Sequence, residues 1–430
     1  MNDDDYLEIE MIIYELIYEY IENNVILMSK PYFHEMLSED MITTYLSLIE
    51  DVAFFKDEEI HEDLIWFIEY LCDEYFEIFE IPKRSYICTE CDDKTPEQIA
   101  TISKQINYLS NVKQPQQKTP EWYEFRHNLF TASSIWKIFG TEAQVNSIIY
   151  EKCKPHNSNN FVRSNSMDWG NFYEPISIEI YEHLYNTTVK DFGCIQHPDY
   201  TFIGASPDGI NVDVKSKKFG RLIEIKNIVN REITDQPKEE YWTQMQLQME
   251  TCNLDECDFV ETRFKEFEEY SDFKAFSLTD AHFCKGVILS FVGRNYITYD
   301  QEAVEKKTES FTIYNDGDDI SSETIDDWIT AKKETNKDQY LLLSIRYWYL
   351  DEFSCLLVKR NPYWFQSAIH KIKSTWEIIQ QEKITGYEHR NTKKKVSVTI
   401  DASSNSHIIK NMPNANNICL IKLDANGNIL

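Results

Sequence analysis

At 430 residues, with 42% hydrophobic and 14% aromatic side chains, the chain has apolar material for two or three globular domains, which sets aside a disordered or fibrous protein. A formal charge of −30 argues on its face against nucleic acid as a partner. The charge is uneven, however: residues 1–100 hold 5 Lys+Arg against 27 Asp+Glu, whereas residues 101–430 hold 38 against 46.

No apolar run reaches the roughly eighteen residues a membrane span needs, and the N-terminus opens on Asp3, Asp4 and Asp5 instead of a basic then apolar leader. A soluble, non-secreted protein without membrane contact is expected. Ten cysteines lie scattered between Cys72 and Cys419 without regular spacing, so reduced thiols in an intracellular compartment, cytoplasm or nucleus, are expected.

Residues 6–80 repeat apolar side chains at helical spacing, with Ile9, Ile12, Ile13, Leu16, Ile17 and Tyr20 on one stretch, Leu64, Ile68, Leu71 and Tyr75 on another, and acids between them. The region predicts an acidic helical module over 1–110. Its aromatics, among them Tyr14, Tyr18, Phe54, Phe55 and Trp66, exceed what a solvating tail needs. Docking of a partner therefore stands ahead of mimicry of DNA charge and of a solubilising cap. The pair Cys88 and Cys91 lacks a second close Cys/His pair, and Cys252 and Cys257 stand no better, so zinc is not expected.

A polar stretch at 111–119 has the composition of a linker. From Pro120, helical patterns alternate with short strands such as 201–205 and 221–226, which predicts an α/β unit with a central sheet. A β-rich stretch over 340–358 precedes a helix opened by Pro362 and lined by Phe365, Ile369, Ile372, Trp376 and Ile379. The division expected is a main domain over 120–385 and a basic β tail over 386–430, which includes Lys393, Lys394 and Lys395 and an Asn-Gly turn.

The chemistry concentrates in Gly204-Ala205-Ser206-Pro207-Asp208-Gly209, followed after a turn-rich loop by Leu222-Ile223-Glu224-Ile225-Lys226. Alternate residues of a strand share a face, so Glu224 and Lys226 project together while Ile223 and Ile225 enter the core. A hairpin across the loop brings Asp208 beside Glu224. Two carboxylates there form a hard-oxygen site suited to Mg²⁺ or Mn²⁺, the ions that stabilise charge and activate water in phosphodiester hydrolysis. For Lys226, orienting water and stabilising charge rank above proton abstraction, because adjacent carboxylates hold an ammonium protonated. The bland alternative is a surface turn beside a solvated strand face.

Three further elements favour the site. Asp168-Trp169-Gly170 leads to Glu174 at an expected helix start. Gln244, Gln246 and Gln248 lie on an expected helix in which Met245, Leu247 and Met249 form core, leaving Gln244 and Gln246 with the functional claim and Gln244 alternatively facing solvent. Trp122, Arg126, Thr131 and Ser133 offer a guanidinium and hydroxyls for a phosphate. His127 and His197 read better as structural histidines than as ligands, and the run Lys393–Lys395 as solvated surface.

In this order the motifs resemble the lambda exonuclease and YqaJ-like viral recombinase family of the PD-(D/E)xK nucleases, over about residues 120–260. Its members are common in phages and large DNA viruses. The resemblance implies a restriction-endonuclease-like α/β fold with a mixed central sheet flanked by helices, to which the N-terminal helical module and a small C-terminal β appendage are added. It implies two metal ions, with Asp208, Glu224 and the Ile225 carbonyl as ligands, Glu174 completing a second position, Lys226 acting on water and Gln246 supporting the site. Arg126, Thr131 and Ser133 correspond to binders of a terminal 5′-phosphate. The activity implied is 5′-to-3′ degradation of one strand of duplex DNA, feeding recombination through a single-strand annealing protein. A site-specific or structure-specific endonuclease and a catalytically silent DNA-binding or docking protein are the alternatives. Lys215, Lys217 and Lys218, in a loop longer than the phage enzyme's, are candidate DNA contacts, and the phage enzyme's ring-shaped trimer is not implied for a chain with these extensions.

Overall fold

The computed structural model describes residues 3–49, 58–87, 93–117, 119–155, 165–294, 306–315 and 322–391. The cysteine pair at 88 and 91, Phe54, Phe55 and the tail from 392 onward lie outside the described residues.

Three N-terminal helices, α1 (Asp3–Asn24), α2 (Phe33–Leu48) and α3 (Glu58–Ile78), bury the apolar stripes expected of them: Ile9, Ile13 and Ile17 from α1, and Leu64, Ile68, Leu71 and Tyr75 from α3. After β1 (Tyr86–Ile87), α4 (Pro96–Ser110) starts at a capping box in which Thr95 and Gln98 exchange side chain to backbone hydrogen bonds. Then come α5 (Pro120–His127), β2 (Phe130–Thr131), α6 (Ala132–Ile135), α7 (Glu142–Cys153) and α8 (Asn165–Tyr185). The centre of the fold follows with β3 (Val189–Lys190), β4 (Ile195–Gln196), β5 (Ile203–Ala205), β6 (Gly209–Asn211), β7 (Leu222–Asn227), α9 (Glu239–Cys252) and β8 (Glu256–Phe267). The remaining elements are α10 (Tyr270–Ala275), β9 (Cys284–Gly293), β10 (Lys306–Tyr314), α11 (Ser322–Asn336), β11 (Tyr340–Lys359) and α12 (Pro362–Thr385). No helix among the described residues is long and apolar enough to cross a membrane.

The main sheet runs β10-β9-β11-β8-β7-β6-β3, with β1 paired to β11, and a small sheet runs β2-β5-β4. It is mixed: β7 and β8 are parallel, joined through α9 as a crossover, while β6 pairs antiparallel with β7. The strand alternation expected for β7 holds. Ile223 and Ile225 pack with Tyr181 of α8 and Val260, whereas Leu222 joins the cluster that contains Trp242, Met245 and Leu247 of α9. Helices therefore cover β7 on both faces. The expected helix at Pro362 is α12, whose N-cap Asn361 accepts from Trp364 N at 3.0 Å.

The N-terminal helices share one core with the central elements, since Ile13, Leu37 and Leu64 belong to the cluster that includes Trp242 and Trp364. Polar contacts cross as well: Lys30 Nζ meets Glu239 at 2.7 Å, Asn361 Nδ2 meets Met28 Sδ at 3.4 Å, and Trp242 Nε1 donates to Arg84 O at 3.0 Å. The stretch expected as a linker is anchored, with Gln114 donating to Phe192 O and accepting from Cys194 N. The described residues through Asn391 cluster as one compact unit.

Candidate active site

The loop that enters β6 supplies Asp208 and the middle of β7 supplies Glu224 and Lys226. Register fixes their proximity, because Gly209 pairs with Ile223 and Asp208 N donates to Ile223 O at 3.1 Å. Gly209 is needed at this corner: a Cβ there would lie 2.1 Å from Val189 Cγ1 of β3. Asp208 Oδ2 accepts from Ile225 N at 2.6 Å, and Lys226 Nζ bonds to Glu224 Oε1. The expected pairing of acid and base on one strand face is thus present.

Glu224 is fully buried, and its charge is met on both oxygens. Gln244 Nε2 donates to Oε1 at 2.8 Å, while Gln248 Nε2 donates to Oε2 at 2.6 Å and approaches Ser206 O at 3.3 Å. Positions 244 and 248 lie one helical turn apart and so share the face of α9 turned to β7. Gln246 does not join them. It points away, donating to Lys359 O at 3.0 Å and accepting from Asn361 N at 2.7 Å, where β11 turns into α12. The supporting contact that the resemblance implied for Gln246 is made in this geometry by Gln244 and Gln248, which share the face of the helix toward β7. Gln244 is buried against Glu224 and does not face solvent.

Glu174 lies well inside α8, followed by Pro175, and not at the helix start expected of it. It is exposed, yet its charge reaches Asp208. Burial, then Glu224, then Glu174 push the Asp208 carboxyl well above its ordinary value, with Lys226 and the Ile225 N–H opposing them. Burial disfavours the Lys226 ammonium, but the Glu224 and Asp208 carboxylates outweigh it and raise its pKa. Lys226 is therefore held protonated, stacked 4.9 Å from the Tyr241 ring centroid.

Among the described residues, no three His, Cys, Asp or Glu side chains form a ready-made metal cluster. The donors that fit a hard divalent cation are two carboxylates, Asp208 and Glu224, with the carbonyl of Ile225 between Glu224 and Lys226 in sequence. The negative charge crowded on Asp208 by its two acidic neighbours is the excess such a cation relieves.

Arg126, on the last turn of α5, stacks 4.6 Å from the Trp122 ring and donates from Nη1 to Ser206 Oγ at 3.0 Å. Ser206 stands two residues before Asp208, so the guanidinium is tied directly to the loop that carries the carboxylate. Thr131 Oγ1 lies 3.4 Å from Ser133 Oγ and 3.1 Å from Ser134 Oγ at the start of α6, with Ser133 exposed. Ser206 and Gln248 were missed as site residues from sequence. The signal for Gln248 was its i+4 spacing from Gln244, and Ser206 was visible only as part of the Ser-Pro-Asp motif.

The three loop lysines differ in their surroundings. Lys218 is buried, with Nζ 2.5 Å from Asp258 Oδ2 and 3.8 Å from the Tyr185 ring centroid, so it braces the core instead of meeting DNA. Lys217 is exposed and pairs with the exposed Asp93 at 3.2 Å, and Lys215 is exposed with its backbone N donating to Asp213 Oδ1 at 2.9 Å. His197 is buried and neutral, its Nδ1 accepting from Asp199 N and Tyr200 N at 3.1 Å each, as expected of a structural histidine.

The two glutamine faces make separable predictions. Gln248→Met leaves a buried carboxylate oxygen short of a donor, expected to lower stability by about 1–3 kcal/mol and to weaken Mg²⁺ binding. Gln246→Met should lower stability by a similar amount, about 1–3 kcal/mol, with no change in the Mg²⁺ midpoint. Urea unfolding beside a Mg²⁺ titration by calorimetry distinguishes them, and a shifted midpoint in Gln246→Met would contradict the assignment.

Residues 121–255 match the family described as the YqaJ-like viral recombinase domain. An uncharacterized protein, R354, of Acanthamoeba polyphaga mimivirus is 27% identical over 298 residues, which are 64% of this chain and 54% of that protein. The chain thus spans about half the length of this curated relative. An alkaline exonuclease (LHK-Exo) from Laribacter hongkongensis, solved alone and in complex with dAMP, overlaps 62% of this chain and 94% of its own at 18% identity and a TM-score of 0.35.

Proposed function

With a YqaJ-like viral recombinase domain over residues 121–255 as the premise, we propose that the chain is a metal-dependent DNA nuclease that degrades duplex ends 5′ to 3′ and leaves single strands for recombination by annealing. The observation that carries this reading is the convergence of Asp208, Glu224 and Lys226 at one place, with Arg126 bonded to Ser206 beside them.

Asp208, Glu224 and the Ile225 carbonyl would hold Mg²⁺ or Mn²⁺ in this reading, and Glu174 would contribute to a second ion. Bound ions supply charge stabilisation on the phosphoryl oxygens and a more acidic water. The chain's own residues do the rest. Gln244 and Gln248 fix both oxygens of Glu224, so the ligand keeps its orientation as charge develops. Lys226, held as an ammonium, orients the attacking water and stabilises negative charge on the phosphate; it does not remove the proton. Arg126, stiffened on Trp122, grips a terminal 5′-phosphate together with the hydroxyls of Thr131, Ser133 and Ser206. Because Ser206 and Asp208 share one loop, the end of the strand is registered against the scissile bond.

The test uses purified protein with end-labelled linear and covalently closed circular duplex, with Mg²⁺ or EDTA. Digestion of linear 5′-phosphorylated duplex, with circles spared and EDTA blocking the reaction, is expected. Rapid cutting of closed circles would replace the exonuclease with an endonuclease using the same centre. No cleavage of either substrate by folded, Mg²⁺-loaded protein would remove the enzymatic reading.

The 5′-phosphate grip carries its own prediction. A charge-assisted guanidinium to phosphate contact contributes on the order of 1.5–3 kcal/mol, so Arg126→Ala should slow digestion of phosphorylated ends roughly ten-fold or more. On ends bearing a 5′-hydroxyl the loss should be much smaller. Initial rates on both substrates at low salt decide it. Equal losses would make Arg126 a general backbone or structural contact.

A further inference from the structure

The N-terminal helices carry a surface that the nuclease reading does not use. On α1, Leu7, Met11, Tyr14 and Tyr18 recur at the i, i+4, i+7 and i+11 positions of one face, and Leu7, Met11 and Tyr18 are exposed, Met11 at 64%. On α3, Trp66 is 66% exposed and stacks on Tyr70 at 5.9 Å between ring centroids. The two faces border each other. Tyr6 of α1 meets Phe67 of α3 edge-on at 4.9 Å, Phe67 stacks with Tyr70, and the Glu74 carboxylate accepts from both Tyr14 Oη at 2.9 Å and Tyr70 Oη at 2.8 Å.

These rings are held in order and not left loose. The hydrogen bonds to Glu74 fix both tyrosine hydroxyls, and the stack fixes the plane of Trp66. Single exposed hydrophobics need no explanation, but a contiguous band rimmed by one sign of charge marks an interaction surface. The rim here is acidic: α1 and α3 each carry eight Asp or Glu and no Lys or Arg. That charge repels DNA, an anionic membrane and a second copy of the same face alike. What it attracts is a polycation with an apolar side.

We propose that the α1/α3 face is a docking site for a basic amphipathic segment of a partner protein. Apolar side chains of that segment lie against Leu7, Met11 and Trp66, and its lysines or arginines meet the acidic rim and the open ring faces of Trp66 and Tyr70. The proposal does not rest on catalysis. The surface lies on elements that carry none of Asp208, Glu224 and Lys226.

The test is calorimetric titration of the full chain with a synthetic amphipathic helix bearing lysines along one side and leucines along the other. The same helix with glutamates in place of lysines, and plain polylysine, serve as comparison probes. Wild type and the Asp208→Ala variant should bind the cationic helix equally, and the glutamate helix should not bind. Trp66→Ala/Tyr70→Ala keeps every charge and should weaken binding about ten-fold or more, as loss of central aromatic anchors does. Glu62→Gln/Glu69→Gln should also weaken it, whereas removal of the same number of charges elsewhere, Glu268→Gln/Glu269→Gln, should leave it unchanged. A thermal melt confirms that each variant is folded. The proposal is overturned if polylysine binds as tightly as the helix, or if the aromatic variant binds like wild type, since either result reduces the interaction to unspecific attraction by an acidic protein.

Discussion

Asp208→Ala is expected to lower the cleavage rate by on the order of 10³-fold or more, because in the proposed reading it removes one of the two carboxylates that would hold the ion stabilising the transition state. Glu224→Ala should do the same and lose stability as well, since Gln244, Gln248 and Lys226 would be left facing a gap. Binding supplies a second readout. Burial, Glu224 and Glu174 raise the Asp208 pKa above its ordinary 3.8, so the metal-free fold holds that proton more tightly than the unfolded chain does. The stability this contributes is fully present below the ordinary value and is lost as pH rises through the raised one. Mg²⁺ should therefore raise the melting temperature of the wild type near neutral pH. Asp208→Asn, which cannot ionise, should melt higher than metal-free wild type there and gain less from Mg²⁺. A variant lacking Asp208 that cleaves at near-normal rate and still melts higher with Mg²⁺ would sink the assignment.

The second large effect lies on the opposite face of β7. Asp258 is fully buried and joins Lys218 Nζ at 2.5 Å, Arg221 Nη1 at 2.9 Å and Tyr181 Oη at 2.7 Å. Removing one partner of a buried pair strands the others, which typically costs about 3–5 kcal/mol, and here two cations are stranded together. Asp258→Ala is thus expected to lower unfolding free energy by roughly that amount in urea, about 3–5 kcal/mol, with little change in cleavage per folded molecule at low temperature. Lys218→Ala should likewise act on stability. If it weakened DNA binding and left the urea midpoint in place, Lys218 would be a DNA contact and not a core brace.

Much of this was legible in the sequence because it depends on local rules. Strand alternation placed Glu224 with Lys226 and sent Ile223 and Ile225 to the core. The Pro-Asp-Gly turn announced the hairpin that delivers Asp208, and the apolar stripes of α1, α3 and α12 gave their buried faces. Errors came where tertiary packing decides. Lys218 reads as one more loop lysine until its partner appears 40 residues later on β8. Gln246 and Gln248 are chemically alike, and only the angle at which α9 crosses β7 tells which one reaches Glu224. Pro175 suggests a helix beginning beside Glu174, but α8 starts upstream at Asn165 and contains it. The anchoring of 111–119 through Gln114 follows from the positions of Phe192 and Cys194, which no composition rule reports.

Strand β11 bears on how the chain is made. It lies between β8 and β9, two strands that follow one another in sequence, and it also pairs with β1 through Leu356 and Leu357. During synthesis the ribosome therefore releases every motif residue, and the whole span 121–255, before β8 acquires its outer neighbour. Until residue 359 emerges, the 12 residues of β8 form an open edge able to pair with any passing strand. Pairing that spans so much sequence is slow to close. The unit that matures is consequently the chain through β11 and not the motif-bearing segment, and a gene fragment stopping near residue 270 should aggregate although it encodes Glu174, Asp208, Glu224 and Lys226 together.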